Sequence, residues 1–175
     1  MNTIQKDFRT FLVRIAILGC AFGFSGLFGA EPGRLVLDIR LSEISRMGSS
    51  LKIRETLTNS GNGDLWILKW RVPWMGQLTA PLFIVKDCDG GPVAYIGIEA
   101  KRHAPTIQDF VLLKRGSTIA FDVDLGEYYR IRPGRCYSIS VDRSFFDARQ
   151  ATDKNELGTE SVNIDYSEIV SEPEH

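Results

Sequence analysis

Leu35, Leu37, Ile39 and Leu41 alternate with polar or solvent-tolerant neighbours. The same period of two runs through Leu51, Ile53 and Leu57, with charged Lys52, Arg54 and Glu55 set between. Successive side chains of a strand point to opposite faces, so this alternation predicts half-buried strands. Asn59-Ser60-Gly61-Asn62-Gly63-Asp64 reads as a turn, because Gly and Asn tolerate positive φ and Asp bonds its own backbone. A strand resumes over Leu65 to Trp70. Leu82 to Lys86 and Val93 to Ile98, joined by Asp89-Gly90-Gly91, predict a hairpin. Phe110 to Leu113, Ser117 to Leu125 and Cys136 to Val141 add three strands divided by Arg115-Gly116 and Arg132-Pro133-Gly134, and Ser161 to Ile164 can close a sheet edge. With no helical stripe in competition, the fold expected is all-β, an immunoglobulin-like antiparallel β-sandwich of seven to nine strands. Phe145 to Gly158, polar after its aromatic start, is expected to be a long mobile connection, and the acidic residues 167–175 a flexible tail.

The first thirty residues stand apart from this pattern. Lys6, Arg9 and Arg14 precede an apolar run from Ile15 to Gly29 that is short for a membrane span, so residues 1–30 read as a signal peptide with cleavage after Ala30. Phe28 is a poor residue three before that cut, which keeps an uncleaved anchor as the alternative. Ile17-Leu18-Gly19-Cys20 resembles a lipoprotein box, but the apolar stretch from Arg14 to Cys20 is too short to favour it. Residues 31–166 are then a single domain, large enough to bury a core unaided. The leader holds three basic residues and Asp7, so 21 basic and 22 acidic residues become 18 and 21 in the exported part. A net charge of about minus three gives no general reason to expect nucleic acid or an anionic membrane as partner. Cys88 and Cys136 remain, and an even pair in an oxidising compartment is expected to be bridged, with a reactive thiol as the alternative.

YIGIEAKRHAPT, Tyr95 to Thr106, is too specific in order to follow from strand periodicity. Together with LTNSGNGDLWILKW (Leu57 to Trp70) and the pattern of Phe110, Gly116, Val123-Asp124-Leu125, Gly134 and Tyr137, it resembles the non-catalytic β-domain that precedes the catalytic domain of deuterolysin-like (aspzincin) zinc metallopeptidases. The resemblance covers roughly Leu35 to Tyr166. In that family the position of Cys136 usually carries an ordinary strand residue, which would make a Cys88–Cys136 disulfide a local addition. Such peptidases hold zinc through a helical HExxH and a further carboxylate. Here His103 and His175 are the two histidines, neither followed by glutamate in that register, so the zinc site of a peptidase cannot be assembled. The implication is a peptidase's companion domain without the peptidase.

Several constellations carry competing readings. Trp66 and Trp70 share strand parity and are expected to fill the sandwich core, whereas Trp74, beyond Pro73, is a partner anchor or a loop anchor. Lys101-Arg102-His103 before Ala104-Pro105 can present a guanidinium fork to another surface's carboxylates, or pair with Glu99 or Asp109 at home. His103 reads as a solvated loop residue. Asp122, Asp124 and Glu127 lack the spacing of a calcium loop and read as a strand edge. Tyr129 or Tyr137 is expected to cap a sandwich corner. No nucleophile-base order or phosphate loop is recognisable, so no catalytic residue, metal or cofactor is assigned. The function expected is an exported, non-enzymatic module docking on a deuterolysin-type metallopeptidase, as inhibitor or folding assistant, through Trp74, Tyr95, Lys101, Arg102 and Pro105. A looser likeness to small Ig-like proteinase inhibitors points the same way. The rivals are a structural or adhesive envelope sandwich, and a carbohydrate-binding module with Trp70 and Trp74 on an open face.

Overall fold

The computed structural model describes residues 36–144, 147–153, 156–157 and 162–172. The expected leader and its cleavage site lie outside them. Among the described residues there are eleven strands, more than the seven to nine expected, all-β as the alternation predicts: β1 (Val36–Met47), β2 (Ser50–Asn59), β3 (Leu65–Leu68), β4 (Phe83–Asp87), β5 (Phe110–Leu113), β6 (Thr118–Asp124), β7 (Tyr137–Val141), β8 (Ala148–Asp153), β9 (Glu156–Leu157), β10 (Asn163–Tyr166) and β11 (Glu168–Ser171). They form three sheets, ordered β10-β1-β2-β6, β11-β7-β4 and β5-β3-β8-β9. Every pairing is antiparallel except that of β10 with β1, which is parallel.

Inward positions carry the sandwich. Leu37, Ile39 and Leu41 of β1, Leu51, Ile53 and Leu57 of β2, and Phe121 and Val123 of β6 pack in one cluster with Leu65 and Ile67 of β3, Phe83 and Val85 of β4, and Tyr137, Ile139 and Val141 of β7. Truncating one of these aliphatic side chains to alanine costs about 2–5 kcal/mol, the transfer term plus the cavity left behind. Two tyrosine hydroxyls fasten the corners. Tyr129 Oη accepts the Phe83 amide at 3.0 Å and donates to the Phe83 carbonyl at 2.7 Å, while Tyr137 Oη accepts the Arg132 amide at 2.8 Å. Both tyrosines are architectural, as the sandwich pattern implied.

The structure departs from the sequence reading in four places. The hairpin is incomplete: the Asp87–Gly91 turn forms, but Val93–Ile98 is irregular and divides its backbone bonds among Val85, Tyr128 and Arg130. The strand at Leu65 stops at Leu68, where the 3₁₀ turn Lys69–Arg71 begins. Trp66 and Trp70 are therefore half-buried, and the inward positions of β3 belong to Leu65 and Ile67. Within the stretch expected to be a mobile connection, Ala148–Asp153 is a strand paired with β3. Within the expected flexible tail, Glu168–Ser171 is a strand paired with β7, because Ile169 packs on the core and Ser171 is buried.

The cysteines are bridged. The Cys88–Cys136 disulfide has a Cα–Cα distance of 5.4 Å and joins the turn after β4 to the start of β7. No helix among the described residues is long and apolar enough to cross a membrane.

Candidate functional site

Two loops build a cleft beside the end of β3. The first runs from Leu68 to Leu82, fixed by buried Val72, Pro73 and Leu78. Within it Trp74 leans on Phe121 of β6, ring centroids 5.7 Å apart, and Lys69 Nζ lies 5.4 Å over the Trp74 ring. Met75 has φ 55°, the one non-glycine in the left-handed region among the described residues, and its side chain is 84% exposed. An L-residue held there is strained, and here it leaves an apolar side chain in solvent next to Trp74.

The second loop is the Tyr95–Thr106 segment, and its sequence explains its geometry. Tyr95 Oη donates to the Ile98 carbonyl at 2.9 Å while its ring packs edge-on against Tyr129 at 5.2 Å. The hydroxyl passes so close to Gly97 that a Cβ there would lie 2.6 Å from it, so glycine is required between Ile96 and Ile98. The Ile96 amide donates to Tyr128 O at 2.7 Å and the Ala100 amide to Thr79 O at 3.0 Å. The loop is thus stapled to the corner on one side and to the first loop on the other. Asp109 ends the segment by accepting the Thr106 amide and hydroxyl, each at 2.8 Å, and these bonds hold its carboxyl below the usual range.

The staples bring Arg102 onto Trp70. Its guanidinium carbon sits 5.3 Å from the indole centroid, and the His103 ring meets the same indole edge-on at 5.8 Å. Neither Lys101 nor Arg102 has a carboxylate within ion-pair distance among the described residues, so pairing with Glu99 or Asp109 is not what occupies them. The Trp70–Arg102 stack stands between two recesses. The larger, about 470 Å³, is lined by Trp70, Arg71, Arg102, His103, Pro105 and Arg149 among others. The smaller, about 190 Å³, is lined by Lys69, Trp70, Trp74 and Arg102. Asp147 offsets Arg149 through a two-point pair at 3.1 and 3.0 Å.

Of the residues singled out in the sequence, Arg102 and Pro105 meet in the larger recess and Trp74 and Arg102 in the smaller. Lys101 is exposed and Tyr95 half-buried, and neither lines either recess. Lys69 and Arg149 were not anticipated, and Trp70 was expected in the core, exposed only under the carbohydrate-module alternative. Val72-Pro73, just past the 3₁₀ turn that follows β3, is the signal that could have placed Trp70 outside the strand. A face of each indole is covered by a cation, so Trp70 and Trp74 do not offer the bare platform a carbohydrate module needs. Asp122 is engaged by Arg54 at 2.7 and 2.8 Å, and Asp124 caps Leu51 and Gly126, each at 2.9 Å. No group of His, Cys, Asp and Glu suited to a metal occurs among the described residues.

No family model matches the chain. It is similar to a protein named extracellular protease from Aeromonas hydrophila, 37% identical over 103 residues, which is 59% of this chain and 29% of that protein. The chain spans less than a third of the length of that relative, so the likeness is to a region of a protease that acts outside the cell.

Proposed function

We propose that this chain is an exported, non-enzymatic β-sandwich that docks on a secreted zinc metallopeptidase of the deuterolysin type, as inhibitor or folding assistant. The observation that carries the proposal is the Trp70–Arg102 stack, held by a loop with the same YIG…AKR.AP order as the companion domain of such peptidases. Likeness to less than a third of an extracellular protease supports it, since that fraction suits an accessory region better than a whole peptidase. Arginine stacked on indole is partly dehydrated and fixed, ready to meet a carboxylate of another surface without losing much side-chain freedom. Trp74 and the exposed Met75 beside it supply apolar anchorage. A domain that is not tethered to its partner gives up an effective concentration in the millimolar range, so its anchors must supply the difference.

The experiment is direct. Purified protein is added to a deuterolysin-type peptidase, both during turnover and during refolding of the denatured enzyme. Slower turnover identifies an inhibitor and a higher refolded yield identifies an assistant. Trp74→Ala combined with Arg102→Ala weakens whichever effect appears. If neither turnover nor yield responds across several enzymes of that type, the proposal fails.

A further inference from the structure

On the corner away from the Trp70 stack, alternation places Tyr129 and Ile131 inward and throws Arg130 and Arg132 outward on the same side. Their backbones are pinned at both points: the Arg130 amide donates to Ala94 O at 3.0 Å and the Arg132 amide to Tyr137 Oη at 2.8 Å. The two arginines open, with Arg135, onto a recess of about 270 Å³ whose remaining walls are Asp87, Tyr137 and residues 92–94. Asp87 is already engaged. One oxygen accepts the Gly91 amide at 2.7 Å and the other faces Arg135 at 3.8 Å, with Asp89 3.4 Å from the same arginine. Arg130 and Arg132 have no carboxylate within ion-pair distance among the described residues.

The recess therefore sets three guanidinium groups against Asp87 and the adjacent Asp89, an excess of one positive charge that Arg46 behind it raises to two, in a chain of net charge minus one. A fourth arginine backs the recess: Arg46 stacks on Tyr137 at 5.2 Å and donates to the Arg135 carbonyl. Like charges gathered in excess of their counter-charges oppose folding, and a bound anion relieves that repulsion. The recess is also held ready. The disulfide and the Cys88 amide bond to Cys136 O at 3.2 Å tie the turn that bears Asp87 and Asp89 to the segment that bears Arg135.

We infer that the Arg130–Arg132–Arg135 recess binds the phosphate of a phosphomonoester. The excess of two charges matches the near-dianion of a phosphate ester at neutral pH. Planar guanidinium forks donate pairwise to its oxygens, and three such oxygens can serve several arginines at once. The inference is independent of the peptidase reading, which uses the other cleft.

Calorimetric titration of the full chain with inorganic phosphate, with glucose 6-phosphate and with vesicles containing phosphatidic acid tests it and separates a soluble ester from a lipid headgroup. Saturable binding of phosphate is expected, weakened about ten-fold or more by Arg130→Ala with Arg132→Ala and unchanged by Trp74→Ala with Arg102→Ala. Both arginine side chains are exposed and form no side-chain hydrogen bond or ion pair among the described residues, and circular dichroism checks that the double variant is folded. Should it not fold, the single Arg130→Gln and Arg132→Gln variants carry the comparison. Failure of the parent protein to bind any of the three probes, or equal binding by folded variants, would overturn the inference.

Discussion

Replacing Glu55 by glutamine should abolish a fall in stability that the parent protein shows as pH rises. Glu55 lies on the inward parity of β2 between Ile53 and Leu57, with Leu41 of β1 and Phe121 of β6 as its neighbours across the sheet. It is fully buried, and its Oε2 has no hydrogen-bond partner. Burial without compensation penalises the carboxylate and pushes its pKa up from 4.5 to about 8. Glu55 is therefore protonated in the native state at neutral pH and ionised in the unfolded chain.

The sign follows from proton counting. Between about 4.5 and about 8 the folded state holds one proton more than the unfolded state, so each added pH unit removes about 1.4 kcal/mol of stability. Below 4.5 both states are protonated and the contribution is whole; above about 8 both are ionised and the loss is complete, at roughly 5 kcal/mol. That is comparable to the entire stability of a marginal domain. Glutamine keeps the volume and cannot ionise. Its amide adds unpaired donors, a penalty the same at every pH, so the slope is what counts. Urea unfolding of both proteins from about pH 5 to about pH 9 should show a constant offset between them on which the parent's stability falls relative to the variant's by about 1.4 kcal/mol per pH unit up to about pH 8, levelling above it. Curves that stay parallel across this range would show that the carboxyl is solvated or paired, and the reasoning would be refuted.

Three further outcomes follow from single contacts. Tyr129→Phe deletes the hydroxyl that serves both the amide and the carbonyl of Phe83, and should lower unfolding free energy by about 1–3 kcal/mol in urea titration. Reducing the disulfide, or replacing Cys88 and Cys136 by serine, opens a closure spanning 48 residues and should cost about 4 kcal/mol, read as a lower denaturation midpoint that reductant no longer shifts in the double variant. Gly97→Ala puts a methyl 2.6 Å from Tyr95 Oη and 2.9 Å from the Tyr128 ring, so the Tyr95–Ile98 bond should break. Near-ultraviolet circular dichroism of the Tyr95–Tyr129 pair should change while the far-ultraviolet strand signal persists.

The strands whose apolar positions alternate cleanly, β1, β2, β6 and β7, were legible in the sequence because one face of each is core, and β5 as an apolar run between turns. β8 escaped because Ala148-Arg149-Gln150-Ala151-Thr152-Asp153 carries no apolar stripe, and its place depends on pairing with β3. β11 escaped because Ile169 and Ser171 sit among acidic neighbours with no apolar stripe, and their burial depends on partners far along the chain. Glu55 was read as one of the charged residues between apolar ones, yet its number shares the parity of Leu51, Ile53 and Leu57. Counting by twos places it inside, against the usual preference of a carboxylate for solvent. The cleft was half legible: Arg102, Pro105 and Trp74 stood out by chemistry, but Trp70 joined them only because the chain leaves strand geometry at Leu68.

That last point bears on why the order YIG…AKR.AP is so specific. A binding surface alone would fix the residues a partner touches, yet Tyr95 and Gly97 are committed within the fold, the hydroxyl closing on Ile98 across a glycine that cannot be enlarged. Ala100 is tied to Thr79, and Thr106 with Asp109 caps the exit. The segment makes few strand bonds, so without these local closures it could adopt many courses, each differing in where Arg102 emerges. Its first half therefore sets the position at which its second half meets Trp70. Changes to Tyr95 or Gly97 should act on docking through the placement of Arg102, whereas changes to Arg102 act on the contact itself, and only the former should also move the stability of the free protein.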